Sequence, residues 1–331
     1  MSCRRVRACQ TVENMQFAGV ACPGWRKPGR WYWIRRIQSR IGKNVMQQPM
    51  TDKPLCLIHA NCQGEPLAEC LRRVPGFGDL FEVRLYTNYI REPVPEADLS
   101  RCAVFLYQPL RDEAIWGELT SARLLERLPA GAGSVAIPSM FFRLYWPFWR
   151  GGGAFESSHV VLDRLLREGL PKTDLLRVFL RGRVLPGAEI ERVTNQSLAR
   201  ERAKEQLTPI KYVDWVCDHF RERLLLNQVN HPGHELLCHV AREVLRLLDV
   251  AEPDGGVEPL VPELHPEFRM PVHPVVAAHW GLAFADESTR YPVYGRKLTF
   301  AEYAEEYVNA RLLGIDDFIT YLRARATTAD H

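Results

Sequence analysis

The chain predicts an α/β protein: a small, at least partly parallel sheet in the N-terminal half, followed by a predominantly helical C-terminal half. Between residues 55 and 137, short apolar runs alternate with helix-spaced patterns at the pitch of strand–helix–strand units. Beyond Gly151-Gly152-Gly153, apolar residues recur instead at three- and four-residue spacing. The composition, 46% hydrophobic and 25% charged, excludes wholesale disorder, collagen-like repeats and coiled coil. The 331 residues suffice for one large domain or two of roughly 150 residues each.

The first strand is Leu55-Cys56-Leu57-Ile58-His59, a short apolar run rising out of polar sequence. It breaks at Ala60-Asn61-Cys62-Gln63-Gly64. Pro66, Leu67, Cys70, Leu71 and Val74 then take the spacing of a helix's inner face, ending near Pro75-Gly76. Further strands are expected at Leu80–Tyr86, Ala103–Tyr107 and Ser134–Ile137. An aromatic cluster from Phe141 to Trp149 precedes the triple glycine. Helices are expected over Val160–Glu168, Leu185–Gln206, Val213–Leu226, Glu235–Leu248, Thr299–Leu313 and Asp316–Ala326, with a Pro- and Gly-rich loop from Ala251 to Pro274. The expected organisation is a poorly ordered basic leader (1–50), an α/β region (51–150), and a mainly helical region (151–331) packed with it as one unit.

The net charge of +3 conceals two unlike parts. Ten of the 43 basic residues but one of the 40 acidic ones, Glu13, fall within residues 1–45, so that segment carries +9 and the other 286 residues −6. An acidic body gives no reason to expect a nucleic-acid partner. The leader's run Phe17–Cys22 is too short for a secretory h-region, and no apolar stretch is long enough for a membrane span. Trp31-Tyr32-Trp33-Ile34-Arg35-Arg36-Ile37 has a composition suited to peripheral contact with an anionic membrane; a disordered extension is the plainer alternative. Nine cysteines, an odd number without a C-x-x-C pair, fit reduced thiols and a cytoplasmic setting, at most at the inner membrane surface.

Cys62 stands between a strand and a helix, where backbone N–H groups and the helix's positive end stabilise negative charge. This position predicts a lowered pKa, a nucleophilic thiolate and an oxyanion site; a packed thiol is the alternative. Asn61 and Gln63 add amides suited to orienting a carbonyl oxygen. A base is needed, and His231, in Asn230-His231-Pro232-Gly233 directly before an expected helix, is the first candidate, with Asn230 placed to fix its ring. His59 ranks second. His234 and His239 are five residues apart, roughly 140° around a helix, which argues against a zincin-type zinc site, and no metal is expected. Walker A and Asp-x-Asp sequences are absent.

The strand leading into Asn61-Cys62-Gln63, then Gln108-Pro109, Tyr145-Trp146-Pro147 and Asn230-His231-Pro232 resembles the polysaccharide-biosynthesis acetyltransferases of the capsule protein WcbI type. The resemblance covers about residues 54–250. It implies binding of coenzyme A or acetyl-CoA and acyl transfer to a sugar or glycan hydroxyl, with Cys62 as catalytic thiol, His231 as base, and Asn61, Gln63 and Gln108 lining the site. The aromatic segment, including Arg143, Tyr145 and Trp146, is expected to supply apolar walls and phosphate contacts to the cofactor, with His59 a further cofactor contact; a plain hydrophobic core is the alternative. Ala60 replaces the family's usual Gly, so a turn requiring positive φ would have to differ here. A thiol hydrolase analogous to the SGNH enzymes and a non-catalytic glycan- or nucleotide-binding protein remain open.

Overall fold

The computed structural model describes residues 53–152, 156–181 and 184–327; the basic leader and the readings that fall on it lie outside them. The chain divides into two compact units. The first comprises residues up to 138 with 206–218 and 241–260, the second 139–205, 219–240 and 261 onward.

The first unit holds β1 (Leu55–Ala60), α1 (Gly64–Arg73), β2 (Glu82–Thr87), α2 (Glu96–Arg101), β3 (Cys102–Tyr107), α3 (Glu113–Trp116), α4 (Ser121–Glu126) and β4 (Gly133–Ala136). The four strands form one sheet in the order β2-β1-β3-β4, every pair parallel. All six residues of β1 are buried, as an interior strand covered on both faces requires. Leu55 and Leu57 pack with Leu99, Phe105 and Leu124 in one apolar layer. The helix after β1 starts with Glu65 in its first turn and ends with Arg72 and Arg73, charges that complement its dipole.

Gly64 is sterically required. A Cβ there would lie 2.7 Å from Ala60 Cβ and 2.9 Å from Leu85 Cδ1. Ala60 ends β1 in extended conformation and is not among the residues with positive φ, so its replacement of glycine needs no change in the turn.

The second unit holds three small antiparallel pairs: β5 (Trp149–Gly152) with β6 (Glu156–His159), β7 (Leu226–Gln228) with β8 (His231–Pro232), and β9 (Tyr291–Val293) with β10 (Arg296–Leu298). Its helices are α5 (Val160–Arg167), α6 (Lys172–Leu180), α7 (Gly187–Glu205), α10 (Pro274–Trp280), α11 (Phe300–Leu312) and α12 (Phe318–Thr327), while α8 (Val213–His219) and α9 (His234–Leu247) run across the boundaries. The core is aromatic. Trp149 meets His159 and Tyr307 edge-on and stacks on Phe318 at 6.4 Å.

One sequence expectation changes in this half. The helix expected to reach Leu226 ends at His219, because Leu226–Gln228 pairs with His231–Pro232 around Val229-Asn230. The aromatic segment supplies β5 and is otherwise without regular structure. No helix among the described residues is long and apolar enough to cross a membrane.

Candidate active site

In the first sheet, the chain leaves β1 toward β2 on one side, then crosses back to β3 on the other. The loops after β1 and β3 therefore diverge from neighbouring strand ends, the switch point where open parallel sheets bind ligands. Asn61-Cys62-Gln63 follows β1 and Gln108 follows β3, so the fold itself brings the two motifs together.

Gln108 is almost fully buried and spends both ends of its amide. Its Oε1 accepts from the Asn61 backbone N–H at 2.9 Å and from Asn88 Nδ2 at 3.2 Å, and its Nε2 donates to Asn61 Oδ1 at 3.1 Å and to the Pro138 carbonyl at 3.0 Å. Asn61 Oδ1 also accepts from the Gln63 N–H at 2.9 Å, and the Asn61 carbonyl accepts from Gly64 N–H at 2.8 Å. In this network Asn61 and Gln108 shape the turn that carries Cys62. Asn88, missing from the sequence reading, braces Gln108 from the loop after β2; the only sequence signal was its place just past an expected strand.

The Cys62 side chain is half-buried, and the expected depression of its pKa is overturned. Burial pushes the thiol up, outweighing the backbone N–H groups of Cys62 and Gln63 that favour the thiolate. His59 lies three residues back, buried at the end of β1 in register with Tyr86 and Tyr107 on the neighbouring strands. Neither ring nitrogen has a hydrogen-bond partner, and burial pushes the imidazole down to about 4.

In the second unit, His231 opens β8 and is half-buried, not on an open loop. Burial, and secondarily His265, whose ring centroid lies 4.7 Å away, push its pKa down to about 4. Its Nδ1 is buried without a partner, so no amide or carboxylate holds that nitrogen in the way the sequence reading expected of Asn230. Asn230 itself sits exposed in the hairpin turn.

Tyr145 and Trp146 are core residues of this unit. The Tyr145 hydroxyl donates toward the Phe220 and Arg223 carbonyls at 2.8 and 3.0 Å, and Trp146 Nε1 toward those of Met270 and Pro271 at 3.1 and 3.0 Å. With their polar atoms committed to backbone, neither presents one to a cofactor. Arg143 is different: its Nε is buried with no partner, and its side chain lines a cavity of about 390 Å³. The same cavity is lined by Arg192, Gln196 and Arg200 of α7, which sequence reasoning did not single out although their four-residue spacing puts them on one helical row. No group of three or more potential metal ligands occurs among the described residues.

Residues 55–253 match the family described as polysaccharide biosynthesis enzyme WcbI. A solved structure of WcbI, described as a novel polysaccharide biosynthesis enzyme and as native protein without a disulfide bond between coenzyme A and one of its cysteines, shares the fold. Its TM-score is 0.65 at 17% identity, covering 83% of this chain and 95% of that one. No curated protein sequence matches. The family match spans well over half of the chain and takes in the Asn-Cys-Gln turn, Gln108 and the Asn-His-Pro hairpin, and the chain belongs to the WcbI family of polysaccharide biosynthesis enzymes.

Proposed function

We propose that this protein is a coenzyme A-dependent acyltransferase that moves an acetyl group from acetyl-CoA to a sugar hydroxyl in the assembly of a capsular or other surface polysaccharide. One observation carries the reading: a half-buried thiol at the switch point of a parallel sheet, on a turn braced by Gln108 and Asn61, with two backbone N–H groups favouring negative charge on its sulfur. Family membership supplies polysaccharide biosynthesis, and the similar solved protein, described by reference to coenzyme A and a cysteine, supplies the donor class.

In this reading the Cys62 thiol passes its proton to neutral His231 as the sulfur attacks the thioester carbonyl. The carbon–sulfur bond to CoA breaks and the departing thiolate takes that proton. The sugar hydroxyl then attacks acyl-Cys62, giving its proton to His231, which returns it to the Cys62 sulfur. The raised Cys62 pKa favours a second route, in which His231 takes the hydroxyl proton during direct attack on the thioester, followed by proton transfer to the leaving thiolate.

Calorimetric titration with acetyl-CoA, followed by a transfer assay on Cys62→Ala, tests the proposal and separates the routes. Saturable binding and a loss of transfer of about 10³-fold or more in the variant are expected for the covalent route. Near-normal transfer by Cys62→Ala selects direct attack, and absence of acetyl-CoA binding to the wild-type chain rejects both.

A further inference from the structure

The second unit concentrates positive charge in one concave place. The cavity of about 390 Å³ is lined by Arg143, Arg150, Arg192 and Arg200, with Glu189 the acidic residue among its walls. That carboxylate is engaged by Arg192, at 2.5 and 2.8 Å. Among the described residues, Arg143, Arg150 and Arg200 make no ion pair, so three guanidinium charges converge without a counter-charge. Arg143 is held there from its backbone, whose N–H donates to Ser197 Oγ of α7 at 3.0 Å. Its Nε is buried and lacks an acceptor. Burial, then Arg200, then Arg150, make its charge harder to keep.

Folding draws like charges together and desolvates one donor without supplying an acceptor, an arrangement that an anion completes. The chemistry of the anion follows from the count. A carboxylate leaves two of three charges unmatched, whereas a phosphomonoester or diphosphate carries about two or three negative charges and presents planar acceptor pairs to guanidinium groups. A cavity of about 390 Å³ in an acidic body suits a small molecule rather than a nucleic-acid strand.

We infer that Arg143, Arg150 and Arg200 form a binding site for the phosphate or diphosphate group of a small molecule. Two sources share this chemistry, a nucleotide-bearing CoA donor and a phosphorylated or nucleotide-activated sugar acceptor; only their assignment as donor and acceptor rests on the acyltransferase reading.

The test is calorimetry and thermal shift on the full chain with pyrophosphate as probe, comparing wild type with Arg200→Gln, Arg143→Gln and, as a control at an exposed position elsewhere, Arg177→Gln. Arg200 is exposed, so its variant tests binding without endangering the fold. Pyrophosphate binding to the wild type, weakened at least tenfold by Arg200→Gln and Arg143→Gln and within twofold of wild type for Arg177→Gln, is expected. Undetectable binding to wild type, equal binding by wild type and Arg200→Gln, or an equal loss in Arg177→Gln, overturns the site. Repeating the titrations with CoA, 3′-dephospho-CoA and a uridine diphosphate sugar assigns the source by which affinity falls in Arg200→Gln. Arginine-dependent pyrophosphate binding in a chain that ignores CoA would leave this site standing and remove the acyltransferase reading.

Discussion

The turn around Cys62 and the hairpin around His231 are built on opposite principles. Around Cys62, side-chain and backbone hydrogen bonds fix the loop, and the Gln108 amide alone makes four hydrogen bonds, to Asn61, Asn88 and Pro138. Around His231, the neighbouring ring is another imidazole and a buried nitrogen has no partner. Burial shifts both groups, the thiol up and the imidazole down, while a side-chain network braces the turn that carries the thiol. The difference teaches that precise placement and charge tuning are separable, and that a braced turn does not by itself make a reactive thiol: Cys62 is raised, not lowered, by its surroundings.

The strongest way to break this comparison is to remove the brace. Gln108→Ala strips four hydrogen bonds and leaves the Asn61 N–H and the Asn88 amide with unmatched donors. We expect a loss of about 3 kcal/mol, read by denaturant melts, and faster iodoacetamide labelling of Cys62 as the turn opens. An unchanged melt with unchanged labelling would show that the turn holds without Gln108.

The tuning side is sharpened by pH. The folded-state pKa of His59 is pushed from 6.5 down to about 4, so between those values the unfolded chain binds a proton that the folded chain refuses. Its contribution is fully present above pH 6.5 and is lost progressively as pH falls toward 4, amounting to about 2 kcal/mol at pH 5. His59→Leu should therefore lose less stability than wild type between pH 7 and pH 5, by about that amount, in parallel thermal melts. Identical pH slopes would place the wild-type acid sensitivity elsewhere, with His231 and His273 at about 4 and His159 at about 3 the next candidates, all pushed down chiefly by burial.

A smaller effect tests how tightly β1 and the turn are packed. Gly64→Ala places a methyl against Ala60 and Leu85 and should cost about 1–2 kcal/mol, and Ala60→Gly in the same chain should recover part of it. Simple additivity in the double-mutant cycle would show that the two positions do not share the space.

Much of the first unit was legible because most of its strands stand on short apolar runs bounded by turn formers, and β1, β3 and β4 fall within a residue or two of where those runs stand. The order of the strands was not legible, since pairing β1 with both β2 and β3 is a nonlocal outcome of two crossovers. Asn88 was missed for the same reason: its partner lies 20 residues away on another loop. In the second unit, Tyr145 and Trp146 looked like ligand walls because an aromatic cluster beside glycines reads equally as core or as surface until its hydroxyl and indole N–H find their acceptors. The α7 arginines were hidden by abundance, as Arg and Glu at helical spacing ordinarily mark a solvated face, and only the aligned backbone of Arg143 turns that face into a cavity wall.

The arginine cavity also bears on how the protein must be handled. A fold that gathers three unmatched positive charges leaves part of its stability to whatever anion the solution supplies, by mass action on the folded state alone. Buffer composition becomes a thermodynamic variable: at about a hundred times its dissociation constant, a phosphate-bearing solute would add about 2.7 kcal/mol. Melting temperatures recorded in phosphate and in a chloride buffer of equal ionic strength should therefore be treated as those of two different liganded states.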